Sequence, residues 1–346
     1  MIRAGIIDAM ATKSRLNEKW NFEMKSTRLQ IIAGLMGGLA LGACGGSVAD
    51  ADSGAAPQPR TGWSIAPDGD LNSFFECLET EGAALVSAHR GGPAAGYPEN
   101  ALATMAMVLS EIPALMEIDI ATSADGVLYL MHDDTLERTT TGSGDANALD
   151  WAAIKKLRLE DNDGRKTDFA PTRFDEVLRW AAGRTILQVD FKRTTRYEDV
   201  AAEINRQDAQ GRVILIAYSM ASARKLHALM PDAMISLSVN SQSELNRAVA
   251  SGVPTNRLMG FTGAEAPRPR LFSILNARDV EVIFGALGGR DSIDREIAQS
   301  GDDSQYADLA KTGVDLIATD RPLAAYTALA KAGRAARDGQ CGVTKG

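Results

Sequence analysis

The chain has 346 residues, 45% hydrophobic and 24% charged, enough apolar material to bury a core and to exclude disorder along its whole length. A formal net charge of −8 argues against a nucleic-acid binder that relies on bulk positive charge. Three cysteines are too few for a disulfide scaffold or a four-cysteine zinc site, and three histidines (His89, His132 and His227) bound any histidine chemistry.

Residues 29–43 read LQIIAGLMGGLALGA, an uncharged run preceded by Lys25 and Arg28. The run is shorter than the roughly 20 residues that span hydrocarbon, and it has the layout of an export signal. It closes on Leu41-Gly42-Ala43-Cys44, which resembles the lipobox of bacterial lipoproteins. That resemblance implies a lipid on Cys44 and an exported chain anchored to a bacterial membrane, facing the periplasm or the cell exterior. Asp8, Glu18 and Glu23 do not suit a signal, so the expected translation start is Met24, with residues 1–43 as upstream segment plus signal peptide. Residues 44–80 are expected to be the lipidated cysteine and a flexible tether, because 45–70 are rich in Gly, Ala, Asp, Ser and Pro without periodicity. A barrel is expected over 81–335 and a tail over 336–346. Cys77 and Cys341 either form a disulfide tying the ends together or stand as two unpaired thiols.

From residue 83 onward apolar strand-like runs alternate with amphipathic helical patterns. The strands fall at 84–88, 115–121, 127–131, 185–191, 213–218, 234–239, 257–261, 280–284 and 316–319. Helical stretches fall at 151–159, 174–182, 197–207, 221–229, 243–250 and 305–311. Such alternation over roughly 250 residues predicts an α/β fold, a (β/α)8 TIM-type barrel. The second and third strands are joined by Ser123-Ala124-Asp125-Gly126. A parallel crossover takes about a dozen residues, so this connection is an irregular hairpin after the second strand. A two-residue or four-residue turn puts His132 on the sheet face of Glu117 and Asp119; a three-residue loop reverses the face.

Chemistry-bearing residues gather near strand ends. His89-Arg90-Gly91 closes the first strand and Pro98-Glu99-Asn100 follows it; Glu117-x-Asp119 lies on the second, His132-Asp133 after the third, Asp190-x-Lys192 on the fourth and Thr319-Asp320-Arg321-Pro322 after the last. The alternate spacing of Glu117/Asp119 and of Asp190/Lys192 points each pair to one side of its strand, the barrel mouth where such folds build sites. Three carboxylates are hard oxygen ligands suited to Mg²⁺ or Ca²⁺. His227, in a helical pattern, reads as structural, and the 138–144 loop as a turn.

In this order the motifs resemble the glycerophosphodiester phosphodiesterase family over about residues 83–330, including the Asp125-Gly126 turn, the run from His132 through Thr140 to Gly142, and Gly313-Val314-Asp315. The resemblance implies metal-dependent hydrolysis of a glycerophosphodiester to an alcohol and glycerol phosphate. His89 and His132 would be the acid and base, Glu117, Asp119 and Asp190 would hold one Ca²⁺ or Mg²⁺, and Arg90, Lys192 and Glu99 would bind the phosphate or substrate. Three departures from the pattern stand out: Asp190 in place of the usual Glu, Ala101 in place of Thr, and no Trp-Thr pair near residues 281–285. Two other readings stay open: a barrel phosphodiesterase for phospholipid or phosphoinositol headgroups, and a non-catalytic surface lipoprotein that binds phosphorylated ligands. The oligomeric state is unknown.

Overall fold

The computed structural model describes residues 62–346; the signal, Cys44 and the expected tether as far as residue 61 lie outside the described residues. The strands are β1 (Trp63–Ile65), β2 (Leu85–Ala88), β3 (Leu115–Thr122), β4 (Leu128–Leu130), β5 (Leu187–Phe191), β6 (Val213–Ala217), β7 (Met234–Ser238), β8 (Leu258–Phe261), β9 (Glu281–Gly285), β10 (Leu316–Thr319) and β11 (Val343–Lys345). Parallel pairing runs β2-β10-β9-β8-β7-β6-β5-β3 and closes β3 on β2, an eight-stranded barrel with β4 added antiparallel to β3. The predicted barrel and its extra hairpin strand are therefore present.

Strand alternation sorts the core into two sides. Val86, Ala88, Met116, Ile118, Val189 and Leu215 face outward into the layer between sheet and helices. Leu85, Leu115, Ile186, Ile214, Met234 and Leu316 face inward and fill the lower barrel. Helices that cover the barrel present an apolar stripe to the outer layer; in Phe174–Ala181 the buried residues are Phe174, Val177, Leu178 and Ala181, the i, i+3, i+4, i+7 pattern. No helix among the described residues is long and apolar enough to cross a membrane.

The domain boundaries need correction. The fold begins well before residue 81, because the helix Leu71–Thr80 closes the N-terminal end of the barrel with Leu71, Phe74, Phe75 and Leu78. Asp70 caps it, accepting from the Ser73 amide at 2.9 Å. The expected tail also folds: Val343 pairs with Ile65 in the β1–β11 ladder, and Cys77 is bonded to Cys341. Composition concealed these pieces because their apolar residues gain burial only against the barrel floor. The bridge closes a loop of 264 residues, for which disulfides typically contribute about 2–5 kcal/mol. The helix expected over 151–159 is shorter, Trp151–Ile154.

The hairpin register is the second correction. Ile120 pairs with Leu130 and Thr122 with Leu128, and the Ser123 amide donates to the Val127 carbonyl, leaving the three-residue loop 124–126. Asp125 selects it by accepting from Ser123 Oγ at 2.6 Å and from the Trp151 amide at 2.9 Å, while Gly126 takes φ 83°. In this register His132 would stand opposite Ile118, on the outward face. The last backbone bond to β3 runs from the Met131 amide to the Asp119 carbonyl at 3.0 Å, however, and the chain leaves the ladder before His132.

Candidate active site

At the C-terminal mouth of the barrel a cavity of about 270 Å³ is lined on one side by His89, Glu117, Asp119, His132, Asp190 and Lys192. Thus six of the residues expected from sequence converge. His132 joins them from the irregular segment after β4 rather than by strand register.

The three carboxylates come from adjacent parallel strands, with Asp119 directly beside Asp190. One oxygen atom from each of Glu117, Asp119 and Asp190 lies within 4.8 Å of the others. Lys192 Nζ bridges two of them, 2.6 Å from Asp119 Oδ1 and 2.7 Å from Asp190 Oδ2. Burial works against ionising Asp119, yet Lys192 and His132 hold its carboxyl below the usual range. Burial also opposes the Lys192 charge, but Asp119 and Asp190 outweigh it and keep the ammonium protonated. Glu117 has no such cation: burial, then the Asp119 charge, push its carboxyl up to about 8. Among the described residues, the buried Asp190 Oδ1 has no hydrogen-bond partner. An orphaned carboxylate oxygen, a strained neighbouring acid and an all-oxygen donor set fit a hard divalent cation.

Each histidine is oriented by a carboxylate on Nδ1. Asp320 Oδ1 accepts from His89 Nδ1 at 2.6 Å, and Asp133 Oδ1 from His132 Nδ1 at 2.7 Å. Both contacts leave Nε2 as the free ring nitrogen. Burial disfavours the His89 imidazolium, but the Asp320 hydrogen bond and the Glu117 charge prevail and raise its pKa. Asp133 is in turn gripped by Arg138, at 2.6 Å from Nε and 2.8 Å from Nη2.

Two expected site residues do other work. Glu99 does not face the cavity: Arg90 Nη1 reaches both its oxygens at 3.1 Å and Arg138 donates to both at 2.8 Å. It is a buried counter-ion that joins the His89 and His132 segments. Arg90 does not line the cavity either; its backbone amide donates to Glu117 Oε2 at 2.8 Å and its Nε stands 3.8 Å from Asp119. Arg90 adopts φ 51°, in the left-handed region, which turns its amide onto Glu117. Gly91 follows because a Cβ there would meet Met105 Cγ at 2.8 Å. His227 lies outside the site, on the helix Met220–Leu229.

Sequence reading passed over two positioning groups, Asn100 and Asp294, and one cavity-lining residue, Gln188. Asn100 donates Nδ2–H to Asp119 Oδ2 at 2.8 Å and accepts the Asp119 amide at 3.0 Å; its signal was its place in Pro98-Glu99-Asn100. Asp294, buried on the helix Ile293–Ser300, accepts from Tyr306, Thr319 Oγ1 and the Asp320 amide, each at 2.6 Å. It fixes the turn that carries Asp320 to His89, and no local pattern announced it. Gln188 lines the cavity floor beneath the acids, its Oε1 accepting from Ser87 Oγ at 2.8 Å.

A parallel barrel with two carboxylate-oriented histidines facing a buried acidic triad defines a site able to bind a cation and move protons. The family model described as the glycerophosphoryl diester phosphodiesterase family matches residues 89–272, more than half of the chain, and the chain belongs to that family. Glycerophosphodiester phosphodiesterase 1 of Bos taurus is 40% identical over 82 residues, 24% of each chain. The chain thus spans about a quarter of the length of that curated relative. A crystal structure of a glycerophosphoryl diester phosphodiesterase from Parabacteroides distasonis superimposes with a TM-score of 0.74 at 27% identity, covering 82% of this chain and 99% of that one. An Oleispira antarctica phosphodiesterase, solved with its product sn-glycerol-3-phosphate, shares the fold at a TM-score of 0.55 and 19% identity, covering 72% of this chain and 97% of that one.

Proposed function

We propose that this protein is a phosphodiesterase that cleaves glycerophosphodiesters to an alcohol and glycerol phosphate. The observation that carries the reading is the pair of histidines, each locked through Nδ1 by its own carboxylate, lining one cavity with the triad Glu117, Asp119 and Asp190. The Oleispira antarctica enzyme's product and the family name point to the same substrate class.

The triad would hold one Ca²⁺ or Mg²⁺, which when bound supplies charge to polarise the phosphate and relieves the repulsion that neutralises Glu117. His89, whose pKa the Asp320 hydrogen bond and the Glu117 charge raise against burial, suits the general acid: it gives the Nε2 proton to the leaving alcohol oxygen as the P–O bond breaks. His132 takes the proton of the attacking oxygen at Nε2, with Asp133 stabilising the imidazolium formed. Lys192 brings a positive charge to the cavity wall beside the phosphate.

The test is release of glycerol phosphate from glycerophosphocholine with Ca²⁺ or Mg²⁺ and with EDTA. Turnover should stop with EDTA and return with the ion, and His89→Ala or His132→Ala should each cost about a hundred- to ten-thousandfold in kcat. Undiminished turnover in either variant sinks the mechanism. The reading extends to an exported, lipid-anchored enzyme: the Leu41–Cys44 segment supports it, as does the Cys77–Cys341 bridge, a bond that persists in oxidising compartments. Cys44→Ser should then move the protein from the membrane to the soluble fraction.

A further inference from the structure

The cavity has two unlike walls below its catalytic rim. Gln188 of β5 and Ser236 and Ser238 of β7 line one side, with Ile216 of β6 between them; on β8, β9 and β10 the lining is apolar throughout, Phe261, Ile283 and Ala318, with Leu287 after β9. Gln188 stands one layer below Asp190 on the same strand and is the Cα neighbour of Glu117. It is buried, and its carbonyl end is fixed by Ser87 Oγ at 2.8 Å. Its amide nitrogen meets no acceptor among the described residues and is not among the sealed, unpartnered atoms, so it opens on the cavity. An amide donor held by its other end and facing the cavity is oriented in advance to meet a ligand oxygen there. At the rim, phosphate oxygens would meet Lys192 and any cation that Glu117, Asp119 and Asp190 would hold; the floor is left for a neutral hydroxyl.

We propose that Gln188 Nε2 donates a hydrogen bond to a hydroxyl of the substrate's glycerol, so that the side of the cavity carrying Gln188 and Ser236 receives the glycerol half and the apolar β8–β10 wall the leaving alcohol. The inference rests on the phosphodiesterase reading above and adds the orientation of the substrate and a residue that reads it. A site that hydrogen-bonds a hydroxyl rejects the analogue lacking it far more strongly than an apolar pocket separates near-isosteres, because the buried donor is stranded. Gln188 is thereby a specificity-determining residue rather than an acid, base or cation ligand.

The test crosses enzyme and substrate changes: kcat/KM of the wild type, Gln188→Leu and Gln188→Asn on glycerophosphocholine and on propyl phosphocholine, which lacks both glycerol hydroxyls. The wild type should prefer glycerophosphocholine by at least about tenfold. Gln188→Leu should lose about 10–100-fold on glycerophosphocholine and less than about twofold on the propyl ester, so the preference collapses. Gln188→Asn, which keeps a polar side chain but withdraws the donor, should show the same selective loss and guards against misfolding of the leucine variant. Equal losses on both substrates, or a wild type indifferent to the hydroxyls, overturns the assignment while leaving the phosphodiesterase reading intact. No wild-type turnover of any glycerophosphodiester overturns both.

Discussion

The two ends of the barrel each bury carboxylates, and they treat them oppositely. At the mouth, Asp119 and Asp190 share Lys192, and Glu99 is gripped by Arg90 and Arg138. At the floor, Glu281 opens β9 and Asp315 precedes β10, with Glu79 and Asp279 nearby, and among the described residues no cation pairs with Glu281 or Asp315. Burial first, then Asp315, pushes the Glu281 carboxyl up to about 9; burial pushes Asp315 up to about 7, although the Val282 amide donates to it at 2.7 Å. At the floor, burial without a cation favours the protonated form of both acids, more for Glu281 than for Asp315. The mouth holds charge by importing cations, and stops one short: the Glu117 carboxyl is pushed up to about 8, and among the described residues Asp190 Oδ1 has no hydrogen-bond partner. Buried acid alone therefore marks no site; an incompletely balanced set of acids beside oriented histidines does.

Three measurements can break or sharpen that contrast. The largest effect is expected at the mouth. Asp190→Asn should lower kcat/KM with saturating divalent cation by about a thousandfold, the worth of several kcal/mol of lost charge stabilisation. Because it relieves repulsion in the triad, it should not lower the melting temperature measured in EDTA; a clear drop there would mean that Asp190 is a structural ion pair with Lys192.

At the floor the readout is stability against pH. The folded pKa of Glu281 is raised, so its contribution is present below the ordinary carboxylate range and is lost as pH climbs from about 4.5 toward about 9. Wild-type unfolding free energy should fall by about 1–3 kcal/mol between pH 5 and pH 8 from this group, and Glu281→Gln should flatten the slope without touching kcat. A slope unchanged in the variant assigns it elsewhere.

The smallest effect links the mouth to its supports. Asp294→Asn puts an amide donor where three donors already point, and should cost about tenfold in kcat by loosening Asp320 on His89. In an Asp320→Ala background the same change should cost little. Additive losses in that double-mutant cycle would show that Asp294 acts on stability alone.

Much of the catalytic half was legible because its chemistry is local. Glu117-x-Asp119 and Asp190-x-Lys192 face one way by strand alternation, and the barrel mouth gathers strand ends from anywhere in the chain. His132 shows where locality ends: a register argument that depended on loop length failed, since Asp125 fixed a three-residue loop through bonds to Ser123 and to Trp151, 26 residues away. Glu99 stood in a readable motif, yet two arginines turned it from ligand to counter-ion.

The amino-acid order by itself determined the alternating strands and helices, the extra hairpin strand, the acid and histidine positions and the family pattern, because periodicity and adjacent motifs are properties of short stretches. Tertiary structure decided the rest: the folding of residues 63–80 and 343–345 onto the floor, the bond between Cys77 and Cys341, and the service of Asp294 and Gln188 to the site. Each of these depends on a partner remote in sequence, and its energy exists only once the closed barrel has brought that partner within reach.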